Sequence, residues 1–129
     1  MLRGNLAPRW AITKQSATTL SLMTHTGRAV VFDSVEAMTL RSGAADLDVN
    51  ADDVLVLRSA GPIRAPGMPE AGYLHRTPEA ATGGPLALVR NGDSIRLNVA
   101  QCCIELLMDE AELALRRTAR RAHQRRAGA

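Results

Sequence analysis

The stretch Gly61–Leu74, with the sequence GPIRAPGMPEAGYL, decides how the chain around it folds. It contains three prolines and three glycines, and it closely follows the β-forming run Val54–Leu57, which we expect to be the central buried strand. Proline removes a backbone donor and glycine opens positive φ, so the stretch cannot continue that strand. We expect an ordered loop or a disordered linker that carries one carboxylate, Glu70. A carboxylate just past the end of a buried strand is where α/β proteins often place a functional group.

The segments on both sides of this stretch carry strand patterns. Upstream, Met1–Arg9 is expected to be a loop, Ala11–Lys14 a short strand, and Ala29–Phe32 a buried strand. Downstream, apolar runs at 86–89 and 95–99 flank Asn91-Gly92, a dipeptide typical of a type I′ turn. This pattern predicts a β-hairpin, and 103–107 predicts a further strand.

Two helices are predicted from capping patterns. The first is expected to start at Asp33, with Glu36 three residues on, and to end at Gly43. The second is expected to start near Asp109, with Glu112 as the reciprocal cap. Its predicted apolar stripe consists of Met108, Ala111, Leu115, Ala119 and Ala122.

Length and composition indicate one domain with an aliphatic core. The chain has 129 residues, of which 46% are hydrophobic and only 2% aromatic, so leucine, valine, alanine and methionine must fill the core. No apolar run approaches the roughly 20 residues of a membrane-spanning helix. The first residues lack the apolar region of a signal peptide. We therefore expect a cytoplasmic protein with no membrane partner.

The positive charge is concentrated near one end of the chain. Six arginines and no acidic residue lie between Arg116 and Arg126, and without them the acidic residues outnumber the basic ones. Arginine clusters can contact phosphates. However, the only aromatic residues are Trp10, Phe32 and Tyr73, and no recognition fold is evident. The sequence therefore favours a solvated helix end over nucleic-acid binding.

Three sets of potential metal ligands stand outside the proline- and glycine-rich stretch. The acidic segment 44–53 lacks the central Gly and closing Glu of an EF-hand, so a solvated loop is favoured over a cation site. Cys102 and Cys103 are adjacent, and neighbours on a strand point to opposite faces. We expect two small, partly buried residues, not a metal site or a strained vicinal disulfide. His25 and His75 have no Cys or His neighbour at ligand spacing, and His123 belongs to the arginine-rich segment.

Four motifs together resemble one enzyme family. They are GNLAP at 4–8, RAVVFDSVEA at 28–37, GPxxxPGMPE at 61–70 and EAxxGGPLALV at 79–89. In this order they are similar to the C-terminal domain of the dihydroxy-acid dehydratase / phosphogluconate dehydratase family. The resemblance extends over nearly the whole chain, from 4 to 117. PEAGYL and GGPLALVRNGD are similar to the sugar-acid (arabinonate-like) dehydratase branch.

The resemblance implies a fold and a reaction. It implies an α+β domain, a small mixed β-barrel similar to a swivelling domain, with flanking helices and a C-terminal helix. Enzymes of this family are hydro-lyases that remove water from sugar acids or dihydroxy acids, with an iron–sulfur cluster and a divalent metal, usually magnesium. Such chemistry needs a base for the α-proton, a cation for the enolate charge and a Lewis acid for the leaving hydroxyl.

The resemblance also assigns site residues, and one motif is missing. Glu70 matches the magnesium-binding glutamate of the family's P-G-M-x-E motif, but one carboxylate is a weak magnesium site. The catalytic serine motif, D-G/A-R-x-S-G, is absent, because Leu74-His75-Arg76-Thr77 joins two stretches that the family separates. Ser59 and Ser94 stand in the wrong contexts to replace it. We therefore expect an internal deletion near 74–77 and an incomplete barrel.

Further departures support a relaxed copy of the family domain. Trp10 and Arg64 stand where the family has small residues, and Cys102 and Cys103 replace what are often arginines. We predict a dehydratase-like domain over 1–115 and an arginine-rich helix end and tail over 116–129.

Three functions are left open by these residues. The favoured one is a truncated homologue that is inactive alone and binds no cofactor by itself, since the cluster cysteines and most metal ligands belong to the family's large domain. The second is a subunit that completes a dehydratase site in trans with a separate large domain. The third is a non-enzymatic interaction module. Open barrel edges also predict self-association or marginal stability.

Overall fold

The computed structural model describes residues 1–13, 15–58 and 84–128, which form one mixed sheet and two helices. The predicted α+β class is thereby confirmed. The strands are β1 (Leu2–Gly4), β2 (Ala7–Ala11), β3 (Thr24–Phe32), β4 (Val54–Leu57), β5 (Ser94–Asn98) and β6 (Cys103–Leu106). The helices are α1 (Val35–Ser42) and α2 (Glu110–Ala127), and short 3-10 turns lie at Gln15–Ala17, Leu20–Leu22 and Pro85–Leu88.

The sheet curls into part of a barrel. Its strand order is β2-β1-β6-β5-β3-β4, with parallel pairing of β1 with β6 and of β3 with β4. The other neighbours are antiparallel. The predicted incomplete barrel with flanking helices is confirmed. Within the described ranges, β2 and β4 each pair along one side, so both are edge strands.

The core lies on two sides of β3. Ala29 and Val31 face the main core, together with Ile95 and Leu97 of β5. Val30 and Phe32 point the other way and form a smaller cluster with Leu57, against which Met38 of α1 packs. Alternating side chains on a strand point to opposite faces, so a run buried on both faces is apolar throughout. This explains why 29–32 was recognisable as a buried strand.

Residues 2–11 form a hairpin, where a loop was expected over Met1–Arg9 and a strand over Ala11–Lys14. β1 and β2 pair antiparallel, with Leu2 opposite Ala11. In the turn between them, the Asn5 side-chain amide donates to the Leu106 carbonyl at 2.8 Å, and its oxygen accepts from the Leu106 amide at 2.7 Å. The Asn5 side chain thus takes the place of a strand neighbour for β6. Local propensity missed the hairpin because its stability depends on a strand about a hundred residues away.

Gly4 lies where the backbone of β6 passes closest. A Cβ added at Gly4 would sit 1.9 Å from the Ile104 carbonyl oxygen, a backbone atom that cannot move independently. Overpacking a tight site costs typically about 1–3 kcal/mol and occasionally more, so Gly4→Ala should lower the free energy of unfolding by about 3 kcal/mol. Urea denaturation followed by circular dichroism measures this.

Gly43 provides the matched control for that substitution. It is the C-cap of α1 at φ −98°, and an added Cβ would meet no described atom within 4 Å. Gly43→Ala should therefore change stability by no more than about 0.5 kcal/mol, as exposed substitutions usually do. Equal effects at Gly4 and Gly43 would contradict the close approach of β1 and β6.

A turn lies at Asn91-Gly92, but the predicted type I′ geometry and the predicted hairpin are both wrong. Type I′ needs positive φ at both central residues, and Cys102 is the one described non-glycine residue with positive φ. Pro85–Leu88 forms a 3-10 turn with three buried side chains, and β5 pairs with β3 and β6. Gly92 has φ +89°, as a turn glycine should. The Asn91 side-chain oxygen accepts from the Val31 amide at 2.6 Å. Proline at the first position and burial of the whole apolar run explain why 85–88 leaves the extended conformation.

The cap of α1 lies one residue later than predicted. Ser34 is the N-cap, and its hydroxyl accepts from the Ala37 amide at 3.0 Å. Asp33 instead accepts from Nε of Arg58 at 2.9 Å. Glu36 is in the first turn, and the helix ends before Gly43 as predicted. Asp33 and Ser34 are both good caps, and the pairing with Arg58 decides between them.

The buried face of α2 differs from the predicted apolar stripe. Of the α2 side chains, all of which the structure describes, only that of Leu113 is fully buried. Leu115 is 67% exposed, and the alanines of the predicted stripe are exposed as well. Asp109 is the N-cap residue, but its side chain makes no capping hydrogen bond, and Glu112 pairs with Arg116. The pattern of apolar residues did not predict the buried face correctly, because arginines occupy the inward positions.

Candidate functional site

The predicted metal ligand lies outside the described residues. Glu70 falls in the segment 59–83, as do Ser59, Arg64, His75 and the junction at 74–77. The described residues nearest to this segment in the chain are Arg58 on one side and Gly84 on the other. The contacts of the residues around Arg58 and Gly84 form the described framework of the candidate site.

Three arginines bind three consecutive carbonyl groups at the end of the Pro85–Leu88 turn. Arg120 donates to Ala87 at 3.1 Å, Arg116 to Leu88 at 3.0 Å and Arg58 to Val89 at 3.3 Å. We call Arg58, Arg116 and Arg120 the arginine clamp. The last carbonyls of a helical turn have no partner within the turn. The clamp supplies those partners. It also connects Arg58, which precedes residues 59–83 in the chain, to the 85–89 turn, which follows them.

Asp93 is the central anion of this framework. Its carboxylate accepts two hydrogen bonds from Arg116, at 2.6 and 3.1 Å, and one from the Arg90 amide at 2.7 Å. Its backbone carbonyl accepts from the Ala29 amide at 2.6 Å. The side chains of Asp93 and Arg116 are only 12% and 11% exposed. Asp93 therefore joins β3 through its backbone carbonyl and α2 through one nearly buried ion pair.

The acidity of Asp93 reflects these contacts. Burial disfavours its charged form, but the hydrogen bonds from Arg116 and from the Arg90 amide outweigh burial and hold its pKa below the usual value. The Arg116 pKa is raised, chiefly by the hydrogen bond to Asp93. A carboxyl whose pKa is lower in the folded state stabilises the fold above its unfolded pKa of about 3.9. That stabilisation is lost as pH falls through the lower, folded pKa.

This linkage predicts that the difference in free energy of unfolding between the wild-type chain and Asp93→Asn depends on pH. The free energy of unfolding of wild type should exceed that of Asp93→Asn at pH 6, and the gap should narrow once the pH drops below about 4. Urea denaturation at several pH values between 6 and 2.5 measures it. A gap that stays constant down to the lowest pH would show that the Asp93 charge contributes nothing.

The acidic segment between α1 and β4 is partly neutralised by Arg28. Arg28 donates to Asp53 at 3.1 and 2.8 Å and to Asp48 at 3.0 Å. The hydrogen bond from Arg28, followed by one from the Asn50 amide, lowers the pKa of Asp53. Among the described residues, no three His, Cys, Asp or Glu side chains are grouped so that they could hold a metal ion. Arg28, the first residue of the 28–37 motif, thus has a structural partner.

The remaining candidates lie apart from one another. His25 is half-buried in β3, and its Nε2 donates to the Asp52 carbonyl at 2.8 Å. His123 is exposed on α2, and Ser94 is exposed at the start of β5. Cys102 is an exposed turn residue at φ +53°, whereas Cys103 begins β6 and is half-buried. The expected burial is therefore wrong for Cys102, because it precedes the strand. The two thiols are free, and burial, followed by the nearby Glu105, raises the pKa of Cys103.

The arginine clamp was not predicted from the sequence. The sequence signal for the clamp is the helical spacing of Leu113, Arg116 and Arg120, which places all three on the inward face of α2. Two of these three residues are charged. A pattern search for apolar residues passes over such a face. No described helix is both long and apolar enough to cross a lipid bilayer.

Comparison with known proteins identifies the class of this domain. The family model described as dihydroxy-acid/6-phosphogluconate dehydratase C-terminal matches residues 1–76 and 72–129. These matches place the chain among dehydratase domains. The chain belongs to the dihydroxy-acid/6-phosphogluconate dehydratase C-terminal family.

Individual relatives include both sugar-acid and dihydroxy-acid dehydratases. A 6-deoxy-6-sulfo-D-gluconate dehydratase of Pseudomonas putida is 41% identical over 91% of this chain and 26% of its own length. An L-arabinonate dehydratase of Rhizobium leguminosarum bv. trifolii is 35% identical over 90% of the chain and 26% of its own length. A dihydroxy-acid dehydratase of Solidesulfovibrio magneticus is 37% identical over 91% and 26%. The chain spans about a quarter of the length of these relatives.

The alignments are longer than the chain itself. The one with the Pseudomonas putida protein extends over 149 positions, whereas the chain has 129 residues. It therefore includes positions of the relative that have no counterpart here. The two segments that match the family model overlap at 72–76, the region in which the sequence predicts an internal deletion.

Proposed function

We propose that this chain is a sugar-acid dehydratase domain that has lost the segment bearing the catalytic serine and does not catalyse dehydration by itself. The observation that carries the proposal is the family match in two segments overlapping at 72–76, together with alignments longer than the chain. A deletion at this point removes residues from within the domain. It leaves the motifs GNLAP at 4–8, RAVVFDSVEA at 28–37 and GGPLALVRNGD at 83–93 in place.

The contacts of these motifs support a retained framework. In the 4–8 motif, Gly4 and Asn5 join β1 to β6. In the 28–37 motif, Arg28 binds the acidic segment and Ser34 caps α1. The 84–93 segment holds the carbonyls of the arginine clamp, and it includes Asp93. Each motif has a structural role that does not depend on catalysis, so a chain without the serine can retain all of them.

Glu70 is the residue of this chain that we propose could still serve a metal. By the resemblance it would offer one carboxylate oxygen to magnesium, which takes near-octahedral oxygen ligands. The metal would supply Lewis acidity toward the leaving hydroxyl. Because the described residues offer no group of metal ligands, the other ligands would come from water, substrate or a separate large domain. We therefore propose that the chain alone retains neither magnesium nor an iron–sulfur cluster.

One experiment tests both the inactive domain and the second candidate, a subunit that acts in trans. The purified chain is mixed with the separately produced large domain of the Pseudomonas putida relative, with its cluster and magnesium supplied, and dehydration of that relative's sugar acid is followed. We expect no turnover with the wild-type chain. We expect turnover once the segment that the relative contains and this chain lacks is inserted between Leu74 and Thr77. Turnover with the wild-type chain, abolished by Glu70→Gln, would overturn the proposal and establish the trans subunit.

Self-association also belongs to the proposal. β2 and β4 are edge strands within the described ranges, and exposed edges favour pairing with another chain. Sedimentation velocity and thermal melts at two concentrations test this. A monomer whose melting temperature does not depend on concentration would contradict it. The cytoplasmic location stays a prediction.

A further inference from the structure

The arginines near the end of α2 fall into two sets with different surroundings. Arg116 and Arg120 belong to the clamp and are bound to Leu88 and Ala87. Arg117, Arg121, Arg125 and Arg126 are exposed. Arg117 contacts Glu110 at 3.4 Å, whereas the other three form no ion pair with any described residue. The clamp thus fixes the rotation of the helix and directs the remaining arginines outward.

Three of the four exposed arginines follow one face of the helix. Arg117, Arg121 and Arg125 are spaced by four residues, so they follow one another on the same side of the helix. At 1.5 Å rise per residue, this spacing is about 6 Å. Every described residue from Arg121 to Gly128 is exposed. The last two turns of α2 therefore project from the body of the domain. We call the exposed arginines of these two turns, Arg121, Arg125 and Arg126, the outer arginine face; Arg126 lies about 100° around the helix axis from Arg125.

The chemistry of this face points to an anionic polymer. No acidic residue follows Glu112 in the chain, and the only apolar residues after Leu115 are alanines. Insertion into a lipid surface needs bulky apolar side chains, and protein hot spots need buried aromatic or aliphatic anchors. The outer arginine face has neither. Phosphate backbones bind arginine through charge, and they add the release of condensed counterions.

We propose that the outer arginine face binds the phosphate backbone of nucleic acid without sequence preference. A projecting helix of about 10–12 Å diameter matches a major groove about 12 Å wide. The sequence alone favoured a solvated helix end, because it does not separate inward from outward arginines. The acidic segment of a second copy is the competing partner. Exposed ion pairs between folded chains contribute little, so it is the weaker one.

Fluorescence anisotropy with a labelled 20-base-pair DNA duplex tests the proposal on the full chain. Three outward arginines predict a slope of about −2.7 in a plot of log affinity against log salt, which is about a 40-fold loss between about 50 and 200 mM. The variant R121Q/R125Q/R126Q should bind about tenfold or more weakly at the lower salt concentration, and its slope should fall toward zero. Glutamine is a good helix former, and circular dichroism should show α2 unchanged.

A matched variant separates this face from net charge alone. R3Q/R9Q/R41Q removes the same number of charges from exposed positions outside α2, and it should bind like wild type. Equal weakening by both triple variants, or no binding at low salt, would overturn the proposal. Wild-type binding to anionic phosphatidylserine vesicles that is as tight as its binding to DNA would also overturn it. Self-association at low salt that the α2 variant abolishes, with no DNA binding by wild type, would overturn it as well. None of these outcomes depends on dehydratase activity.

Discussion

Replacing Asp93 by asparagine is expected to lower the free energy of unfolding by about 3 kcal/mol at neutral pH. Asp93 and Arg116 are about nine-tenths buried and share two hydrogen bonds. Removing one partner of a buried pair costs about 3–5 kcal/mol, because the other charge is left without compensation. The residual exposure of this pair places it at the low end of that range. Urea denaturation monitored by circular dichroism provides the measurement.

Two further variants make this expectation specific. Asp46→Asn removes a charge at an exposed position, and it should change stability by no more than about 0.5 kcal/mol. The double variant Asp93→Asn/Arg116→Gln should be less destabilised than the sum of the two single variants, since the pair is then removed together. Simple additivity would show that the two side chains act independently, contrary to their geometry.

Leu113→Ala is expected to destabilise the protein by about 2–5 kcal/mol, the range for large-to-small changes in a core. Leu113 is 1% exposed and belongs to the main core cluster. It is the fully buried side chain of α2, so its loss should also weaken docking of the helix. The far-UV circular dichroism signal of α2 should then be lost at a lower urea concentration than in wild type.

Leu115→Ala is the control for Leu113→Ala. The two leucines lie two residues apart on the same helix, but Leu115 is 67% exposed. Its truncation should alter stability by at most about 0.5 kcal/mol. If Leu115→Ala proved the more damaging of the two, the helix would be docked by the stripe that the sequence predicts, and the inward position of Leu113 would be wrong.

How far the sequence predicts this fold depends on how local each signal is. The strand at 29–32 and the C-cap at Gly43 were predicted correctly, because apolar runs and a helix-ending glycine are local signals. Val54–Leu57 is a strand as predicted, but β4 lies at an edge of the described sheet and Leu55 is 37% exposed, so its expected central, buried position is wrong. The β1–β2 hairpin and the choice of Ser34 over Asp33 as the cap were missed. Both depend on distant partners, Leu106 for the turn at Asn5 and Arg58 for Asp33.

The candidate site shows the same division. The family resemblance was recognised from four motifs and is confirmed by the family match. The roles of Arg116 and Arg120 were not predicted, because nothing in a row of arginines distinguishes those that face carbonyls from those that face water. The misassigned strand at 86–89 has a related cause. Its carbonyl groups bond to arginine side chains, a partner that no local β-propensity can foresee.

The parallel pairing of β1 with β6 has a consequence for how the domain is made. Arg3 lies opposite Cys103, and Asn5 bonds to Leu106, so the first strand has to wait for the last one to leave the ribosome. Contacts so far apart in the chain carry a large loop-closure entropy and slow the search for the native topology. Until β6 emerges, β1 lacks its parallel partner and the side chains of Leu2 and Leu6 lack the core in which they are buried. The native sheet of this domain can therefore be completed only after β6 has been synthesised.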